Sequence, residues 1–222
     1  MKINHAIIMA AGRGQRMMPL TNDIPKAMAV VDGITLISQG IINIKKHLDN
    51  VYITVGYKGS MLASHVIENN VSAVFSTEGK GNAWWIFNTL VKYINEPIIV
   101  LTCDNIIELD MDSLSKDYFA QGEPACMIVS VKPVAGLEGD YIFKDENNLI
   151  NELNRNKISE VYCSGIQILN PSKINGLVSN TEDFYDVWKT LIEKKEIKCS
   201  NIQPSKWMSI DTLDQLNKAN AK

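Results

Sequence analysis

Residues 10–28, AAGRGQRMMPLTNDIPKAM, place Arg13, Arg16 and Lys26 among two glycines and two prolines. The apolar run AIIMA at 6–10 comes directly before them and predicts a buried strand. Glycine-rich backbone leaves N–H groups free to face an anion, and three nearby cations suit an anion with several charges. The segment therefore predicts a phosphate-binding loop at the end of a strand, and its composition favours a triphosphate.

Two common phosphate loops do not fit this segment. The dinucleotide fingerprint GxGxxG needs a small residue at position 17, which is methionine, and Pro19 interrupts the helix that should follow. A Walker A loop needs Gly-Lys-Ser/Thr, which the segment lacks. A surface loop with ordinary solvated charges remains the plain alternative.

The predicted loop needs a sheet to position it, and strand-like and helical patterns do alternate along the chain. Strands are predicted at 50–56, 71–76 and 97–105, and helices at 35–48, 60–69 and 82–94, the last with Asn82 as its N-cap. This βαβα order predicts a mostly parallel sheet covered on both faces. Strand-like runs after about residue 123 predict an extension of the same sheet. We therefore expect a single domain over 1–222, in which the pattern of elements changes after about residue 122.

In such sheets, ligands bind beyond the carboxyl ends of the strands. Three segments leave predicted strands at that edge, namely 10–26, 76–83 and 103–106. Asp104 ends the apolar run PIIVLTC, where a carboxylate would face a ligand.

Composition excludes several classes of function. A net charge of −3 over 222 residues disfavours a nucleic-acid binder, and no apolar run approaches the ~20 residues of a membrane span. The four cysteines are scattered and form no CxxC pair, so neither a zinc site nor a disulfide framework is predicted. We expect a cytoplasmic protein with reduced thiols that acts on small molecules, as a monomer or a homodimer.

Residues 10–28 resemble the signature of the sugar-phosphate nucleotidyltransferases, A-G-x-G-[TS]-R-x-x-P-L-T-x-x-x-P-K, with Gln15 in place of the usual threonine or serine. Weaker similarities, such as GKGNA at 79–83 and WMSIDTLDQL at 207–216, extend over the chain. The resemblance implies an α/β protein with a Rossmann-like nucleotidyltransferase fold, three-layer α/β/α with a mixed, mostly parallel central sheet. It implies a nucleotide-binding part at 1–122 and an acceptor-binding part at 123–222. It also implies that an acceptor phosphate attacks the α-phosphorus of a nucleoside triphosphate and releases pyrophosphate.

The resemblance implies catalytic roles for Arg16 on the triphosphate and for Lys26 on the α-phosphate or the attacking phosphate. It implies a Mg²⁺ ion held by Asp104 and Asp211, although Asp211 and Thr212 could instead cap the last helix. The nucleotide-binding residues that it implies are Ala10, Ala11, Gly12, Arg13, Gly14, Ser76, Gly81, Asn82 and Asp104. The acceptor-binding residues are Glu152, Arg155, Ser164, Gly165 and Asp186.

Several segments resemble the CTP-using branch of this family. Ser76 stands near the place where uridylyl relatives have glutamine, and CDN at 103–105 and DFYDVW at 183–188 are typical of cytidylyltransferases, so we expect CTP rather than UTP or dTTP. NELNRNK at 151–157 replaces the E-K-P-like segment of sugar relatives. The resemblance then favours L-glutamine phosphate as acceptor, giving CDP-L-glutamine for capsule phosphoramidate biosynthesis.

Other functions stay open at this point. Phosphocholine is the main rival acceptor, because the four tryptophans could form an aromatic cage for a choline cation. A sugar 1-phosphate is the third acceptor. A catalytically silent nucleotide-binding regulator is the alternative from another class.

Overall fold

The computed structural model describes residues 2–134 and 136–221. Its strands are β1 His5–Ala10, β2 Val30–Val31, β3 Ile34–Thr35, β4 Asn50–Val55, β5 Ala73–Ser76, β6 Ile98–Thr102, β7 Asn105–Glu108, β8 Cys126–Val131, β9 Tyr141–Lys144, β10 Ile150–Asn154, β11 Tyr162–Leu169, β12 Ile197–Cys199 and β13 Lys206–Ser209. Its α-helices are α1 Leu20–Asp23, α2 Leu36–Lys45, α3 Gly59–Ile67, α4 Trp84–Asn88, α5 Met111–Ala120, α6 Pro171–Leu177, α7 Phe184–Glu193 and α8 Leu213–Asn220. Short 3-10 helices cover Gln15–Met17, Lys26–Met28 and Leu90–Tyr93.

Nine of the described strands form one sheet. Its spatial order is β12-β8-β11-β6-β1-β4-β5, and the β9–β10 hairpin joins it at Tyr162 of β11. Strands β6, β1, β4 and β5 are parallel neighbours, whereas β11 runs against both β6 and β8. Only β10 and β11 oppose the common direction in this sheet, which confirms the prediction of a mixed, mostly parallel sheet.

Helices cover both faces of the sheet, as predicted. Ile8 of β1 and Leu101 of β6 pack into the core beneath α2, α3 and α5. Their neighbours Ile7 and Val100 point to the opposite face and pack under α4, α6 and α7. Successive side chains of a strand alternate between faces, so continuous apolar strands supply both cores. The three-layer α/β/α architecture is confirmed.

The strands on both sides of residue 123 belong to the same sheet, because β11 pairs with β6 and β8 pairs with β11. The later strands therefore extend the sheet, as their pattern predicts. The division into a nucleotide-binding part and an acceptor-binding part stays a prediction.

The predicted helix over 82–94 is wrong in its extent. It breaks at Thr89, whose φ of −117° and ψ of 177° are extended, and a 3-10 helix follows. The Thr89 hydroxyl donates to the carbonyl of Trp85 and accepts from the N–H of Val91, so it ends one helix and caps the next. Asn82 is not the N-cap, since its side chain makes no hydrogen bond to the helix start.

Two further features bear on earlier expectations. Among the described residues, no helix has the length and apolar character needed to cross a membrane. All four cysteines are free thiols, and burial raises the pKa of the Cys103 thiol to about 12, with the nearby Asp104 charge adding to the shift.

Candidate active site

A small third core brings the two ends of the chain to the edge of the sheet. We call the segment at 10–28 the glycine loop. Its Met17 packs with Ile106 of β7, with Ile210 and with Leu216 of α8. Strand β13 pairs with β7, and the N–H of Ile210 donates to the carbonyl of Asp104 at 2.9 Å. Asp211 is thereby placed beside Asp104, at the carboxyl end of β6.

Lys26 joins these two carboxylates, and we call Lys26, Asp104 and Asp211 the Lys26 centre. Its Nζ lies 2.5 Å from Oδ2 of Asp104 and 2.6 Å from Oδ1 of Asp211. The lysine side chain is only 11% exposed, so burial alone would lower its pKa. Hydrogen bonds and charge attraction from both carboxylates outweigh burial and raise the pKa of Lys26 above its ordinary 10.5. The lysine is therefore a fixed positive charge at neutral pH.

Asp211 faces this centre rather than the last helix. Its carboxylate accepts from Lys26, from Arg16 at 3.0 Å and from the Ser209 hydroxyl at 3.0 Å. Burial would raise the pKa of Asp211, but the Lys26 hydrogen bond and the charges of Lys26 and Arg16 lower it overall. Thr212 supplies the N-cap of α8, in a capping box with Gln215. The helix-cap alternative for the Asp211 side chain is wrong.

The glycine loop is shaped for contact with Lys26. Gly14 has φ +65°, a left-handed conformation, and a Cβ built there would lie 2.7 Å from Cβ of Lys26. The Gly14 carbonyl accepts from the Thr21 hydroxyl at 3.0 Å, which folds the loop back on itself. Gly14 therefore lets the loop pass close to the lysine.

Arg13 and Arg16, the loop's two arginines, are placed differently. Arg13 donates to the carbonyl of Thr21 at 2.8 Å, and its guanidinium lies 3.9 Å from the centre of the Tyr57 ring. Arg16 is 68% exposed on its side chain and contacts only Asp211 through one nitrogen among the described residues. Arg13 thus stabilises the loop, and Arg16 keeps donors available for a ligand.

Two adjoining cavities form one cleft at this edge. The first, of about 430 Å³, is lined by the loop at 12–16 and by Lys26, Asp104 and Asp211. The second, of about 230 Å³, lies at the ends of β1, β4 and β5 and is lined by Ala11, Thr54, Thr77, Gly81, Asn82 and Trp85, among others. Met9 and Gly12 line both cavities. Ala10 lies next to them at the end of β1, and its N–H donates to Thr54 Oγ1 at 3.2 Å.

Ser76, expected to contact the base, does not line the second cavity. It is exposed at the end of β5, and the next residue, Thr77, lines the cavity instead. Side chains of successive strand residues point in opposite directions, so an offset of one residue changes which hydroxyl faces the ligand. Thr77 is the residue that the sequence analysis missed in the loop at 76–83.

Gly81 and Asn82 connect the second cavity to α7. A Cβ on Gly81 would lie 2.1 Å from the carbonyl oxygen of Glu182, and the Gly81 N–H donates to Glu182 Oε2 at 3.0 Å. The Asn82 side-chain oxygen accepts from the N–H of Phe184 at 2.9 Å. The close approach that requires glycine at position 81 is therefore to Glu182, and the contact of Gly81 with the nucleotide stays a prediction.

Ser164 and Gly165 form a bulge in β11 next to Asp104. The Ser164 side chain is buried and donates to the carbonyl of Val129 at 2.7 Å, so it is not free for an acceptor as expected. The Ser164 carbonyl accepts from Asn105 at 2.8 Å and from Trp207 at 2.9 Å. Gly165, at φ +81°, brings its Cα close to Asn105 and so lets the bulge face this edge.

Arg155 lies in a charged cluster that the sequence does not reveal. Its Nε donates to Asp140 Oδ1 at 3.0 Å, and its guanidinium lies 5.5 Å from the centre of the Tyr185 ring. The Tyr185 hydroxyl donates a short hydrogen bond to the same Asp140 oxygen. Burial raises the pKa of Tyr185 to about 12, and Asp140 adds to the shift. We call Asp140, Arg155 and Tyr185 the acceptor cluster below.

Glu152 and Asp186 lie outside that cluster. Together with Tyr185 they line a groove of about 410 Å³ between β10 and α7, which shares no lining residue with the cleft. Glu152 pairs with Lys157 at 3.1 Å, and Asp186 accepts from the Thr181 hydroxyl at 2.7 Å. Glu152 and Asp186 therefore lie away from Lys26 but share Tyr185 with the acceptor cluster, and their contact with an acceptor stays a prediction.

The four tryptophans do not form a cage in the described structure. Trp85 is buried in the core and Trp84 lies half-buried under Lys80. Trp188 packs on Phe184 and Tyr185, and Trp207 donates to the bulge in β11. Their separate partners remove the main sequence argument for a choline cage.

The Lys26 centre offers few protein ligands to a metal. Over residues 2–134 and 136–221, no group of three or more His, Cys, Asp or Glu side chains is arranged to hold an ion. Asp104 and Asp211 nevertheless share one partner and face one cavity. Two carboxylates are the donor set expected where Mg²⁺ takes its remaining ligands from phosphates and water, so the residues fit this ion.

Comparison with known proteins gives a family model that matches almost the whole chain. Residues 5–222 match the family model described as nucleotidyl transferase. The chain is 29% identical over 206 residues to the bifunctional protein GlmU of Methanocaldococcus jannaschii, an alignment that covers 87% of this chain and 48% of that protein. The chain thus spans about half the length of this curated relative.

Solved structures share the fold over the full chain. The inositol-1-phosphate CTP transferase from T. maritima has a TM-score of 0.78 at 19% identity and covers 100% of this chain and 98% of that one. The CTP:phosphocholine cytidylyltransferase from Streptococcus pneumoniae has a TM-score of 0.78 at 19% identity, with 99% and 98% covered. At these identities the structural matches establish the fold.

Proposed function

Because the chain belongs to the nucleotidyl transferase family, we propose that it transfers CMP from CTP to L-glutamine phosphate, giving CDP-L-glutamine and pyrophosphate. Nucleotidyl transfer is the activity of the family, and the proposal concerns the nucleotide and the acceptor. The observation that carries it is the two-part cleft, in which Met9 and Gly12 join a strongly charged end to a second, less charged cavity. A nucleoside triphosphate has the same two-part character. Capsule phosphoramidate biosynthesis stays the predicted setting.

The charged end suits a triphosphate. Lys26 holds a fixed charge, and the exposed guanidinium of Arg16 extends from the glycine loop into the same cavity. In our proposal, Arg16 binds the β- and γ-phosphates, and Lys26 donates to an oxygen of the α-phosphate or of the attacking phosphate. Preorganised charges of this kind stabilise the charge that develops during phosphoryl-type transfer.

The reaction needs no side-chain nucleophile, because the acceptor phosphate already is one. One of its oxygens forms a bond to the α-phosphorus, and the bond from the α-phosphorus to the oxygen that bridges to the β-phosphorus breaks. The electron pair leaves with pyrophosphate, whose charge Arg16 would neutralise. Bringing two anions together in line is chiefly a problem of positioning and charge.

Mg²⁺ fits the proposal through Asp104 and Asp211, and when bound it would neutralise triphosphate charge and orient the leaving group. Both carboxylates now pair with Lys26. Two carboxylates hold the lysine in place until a phosphate competes with them for its hydrogen bonds. The same residues therefore orient the lysine before the substrates bind.

The choice of CTP draws on the sequence and on the neighbours. Two of the structural neighbours carry CTP in their names. Thr54, Thr77 and Asn82 line the second cavity with hydroxyl and amide groups that can hydrogen-bond a pyrimidine. These groups support a pyrimidine, and the resemblance of residues 103–105 to cytidylyltransferases favours cytosine among pyrimidines.

The acceptor cluster supports an amino-acid acceptor. Arg155 uses Nε on Asp140, and its side chain is 60% exposed, so its terminal nitrogens can be reached by a ligand. A guanidinium binds a carboxylate well through two parallel hydrogen bonds. Asp140 supplies an adjacent negative charge for an ammonium. An acceptor with both groups, such as glutamine phosphate, matches this pair, whereas choline offers no carboxylate to Arg155.

Contacts link the cluster to the Lys26 centre. Asn105, next to Asp104, and Trp207 both donate to the carbonyl of Ser164. Trp207 packs edge-on against Tyr162, and a Cβ on Gly139 would lie 2.1 Å from the Tyr162 ring. Asp140 follows Gly139 directly, so an acceptor that extends from Ser164 past Tyr162 would reach Arg155.

A pyrophosphate-release assay tests the proposal. CTP with Mg²⁺ is combined with glutamine phosphate, phosphocholine or glucose 1-phosphate at equal concentration. We expect glutamine phosphate to react at least tenfold faster than either rival, which is about 1.4 kcal/mol in transition-state free energy. If phosphocholine wins by that factor, the glutamine assignment is wrong. A thermal-shift panel of CTP, UTP, dTTP, ATP and GTP tests the nucleotide separately, since the tightest ligand gives the largest stabilisation.

A further inference from the structure

Trp85 carries a hydrogen-bond donor with no partner inside the protein. Its side chain is 1% exposed and packs edge-on against Phe184. Its indole Nε1 is buried and makes no hydrogen bond to any described residue. A buried N–H without an acceptor is costly, so such groups call for an explanation wherever they occur.

Trp85 also lines the second cavity of the cleft. Three polar side chains at this cavity each have one partner inside the protein, and Lys80, which also lines it, is exposed. Thr54 Oγ1 accepts from the N–H of Ala10 at 3.2 Å, and the Asn82 oxygen accepts from the N–H of Phe184 at 2.9 Å. The Thr77 hydroxyl lies 3.4 Å from the carbonyl of Val55. Among the residues that line this cavity, Trp85 thus carries a side-chain donor that is both buried and without a partner in the described structure.

We propose that the indole N–H of Trp85 donates to the O2 carbonyl oxygen of the pyrimidine base and so contributes to the affinity for a pyrimidine nucleotide. This inference rests on the proposed function, because it takes the second cavity as the base pocket. An indole nitrogen donates and cannot accept, so it requires a carbonyl or ring acceptor on the ligand. Cytosine and uracil both carry O2 at the same place on the ring. Trp85 can therefore bond to either pyrimidine and leaves the choice between CTP and UTP to other groups.

Titration calorimetry of CTP, UTP and inorganic tripolyphosphate on three proteins tests this role. The proteins are the wild type, Trp85→Phe and the matched control Trp84→Phe, whose indole is half-buried on the neighbouring position. Removal of one neutral hydrogen bond should weaken CTP about 3- to 10-fold. UTP should weaken by the same factor, and tripolyphosphate should bind Trp85→Phe as it binds the wild type. Trp84→Phe should match the wild type for all three ligands.

An isosteric replacement separates the donor from the packing of the ring. Benzothienylalanine at position 85 keeps the shape of tryptophan and places sulfur where the N–H was. It should weaken CTP as much as Trp85→Phe does. If it binds CTP as the wild type does, or if tripolyphosphate weakens along with CTP, the inference is overturned.

The same data keep this inference apart from the proposed function. Turnover of CTP by the wild type tests the proposed function alone. CTP turnover with unchanged CTP affinity in both position-85 variants overturns only the role of Trp85. A wild type that binds ATP and no pyrimidine nucleotide overturns both.

Discussion

The ammonium nitrogen of Lys26 lies 2.6 Å from a carboxylate oxygen of Asp211, a residue 185 positions later in the chain. The same nitrogen contacts Asp104 at 2.5 Å. The centre therefore depends on closure of the fold by β13 and α8 as much as on the glycine loop.

Lys26→Met should lower kcat/KM about 10²-fold or more, because it removes a charge that acts on the transferring phosphate. Methionine keeps the length of the side chain, so the fold should persist by circular dichroism. Lys2→Met is the control, since Lys2 is exposed just before β1, at the opposite edge of the sheet. A Lys26→Met enzyme within threefold of the wild type would exclude the catalytic role.

Asp211→Asn should raise the Mg²⁺ concentration needed for half-maximal activity at least about tenfold, and Asp104→Asn should do the same, because each removes a charged oxygen that faces the cleft. Thr212→Ala is the control for the start of α8. Loss of that N-cap should lower the free energy of unfolding by about 1 kcal/mol and leave the Mg²⁺ titration unchanged. An Asp211→Asn enzyme that titrates with Mg²⁺ like the wild type contradicts the metal role.

The low pKa of Asp211 predicts an acid-sensitive contribution to stability. Since the folded pKa of Asp211 lies below its ordinary value of 3.8, ionised Asp211 stabilises the fold above pH 3.8, and this contribution is lost as the pH falls through the folded pKa. In urea unfolding, the stability difference between the wild type and Asp211→Asn should be constant from pH 5 to 7 and shrink below about pH 4. A difference that does not change down to pH 3 would mean that the folded pKa is not lowered.

Gly14→Ala should destabilise the protein and displace Lys26. The left-handed conformation costs a residue with a Cβ about 1–2 kcal/mol, and the new methyl group would overlap the lysine. The variant should therefore lose both unfolding free energy and kcat. Gly12→Ala is the control for stability, because a Cβ there meets nothing within 4 Å. Equal unfolding free energies for the two variants would show that the loop adjusts at position 14.

Arg155→Ala should raise the KM for glutamine phosphate about tenfold or more and leave the KM for CTP unchanged, because a carboxylate would lose a bidentate partner. Lys157→Ala is the control, since Lys157 pairs with Glu152 outside the acceptor cluster. Initial rates at varied acceptor and saturating CTP measure the effect. A KM change of similar size in both variants would point to general loss of positive charge.

Much of the fold follows from local patterns. The apolar runs that become β1, β4 and β6 have the length and composition of strands buried on both faces, and the turn residues between them are visible in the sequence. Residues 10–28 also predict a phosphate-binding loop, because glycine, arginine and Pro-Lys occur together, and their resemblance to the family signature implies the role of Lys26. These features need only neighbouring residues, so the sequence is sufficient for them.

The rest depends on contacts between distant segments. Thr77 rather than Ser76 faces the cleft because of where β5 ends, and the Ser164 side chain turns inward because β11 bulges there. The partners of Arg155 are Asp140 and Tyr185, 15 and about 30 positions away, on a strand entry and a helix. No local pattern fixes such pairs, since side-chain direction changes with a shift of one residue in register.

Three hydrogen bonds tie the loop at 79–83 to the start of α7. Gly81 and Ala83 bond to Glu182, and Asn82 bonds to Phe184. The helix that they hold carries Tyr185, which faces the acceptor side. Mutations that change nucleotide choice should therefore also change acceptor choice. Evolution of a new substrate pair in this scaffold should proceed through paired substitutions across this junction, and a laboratory library should randomise both segments together.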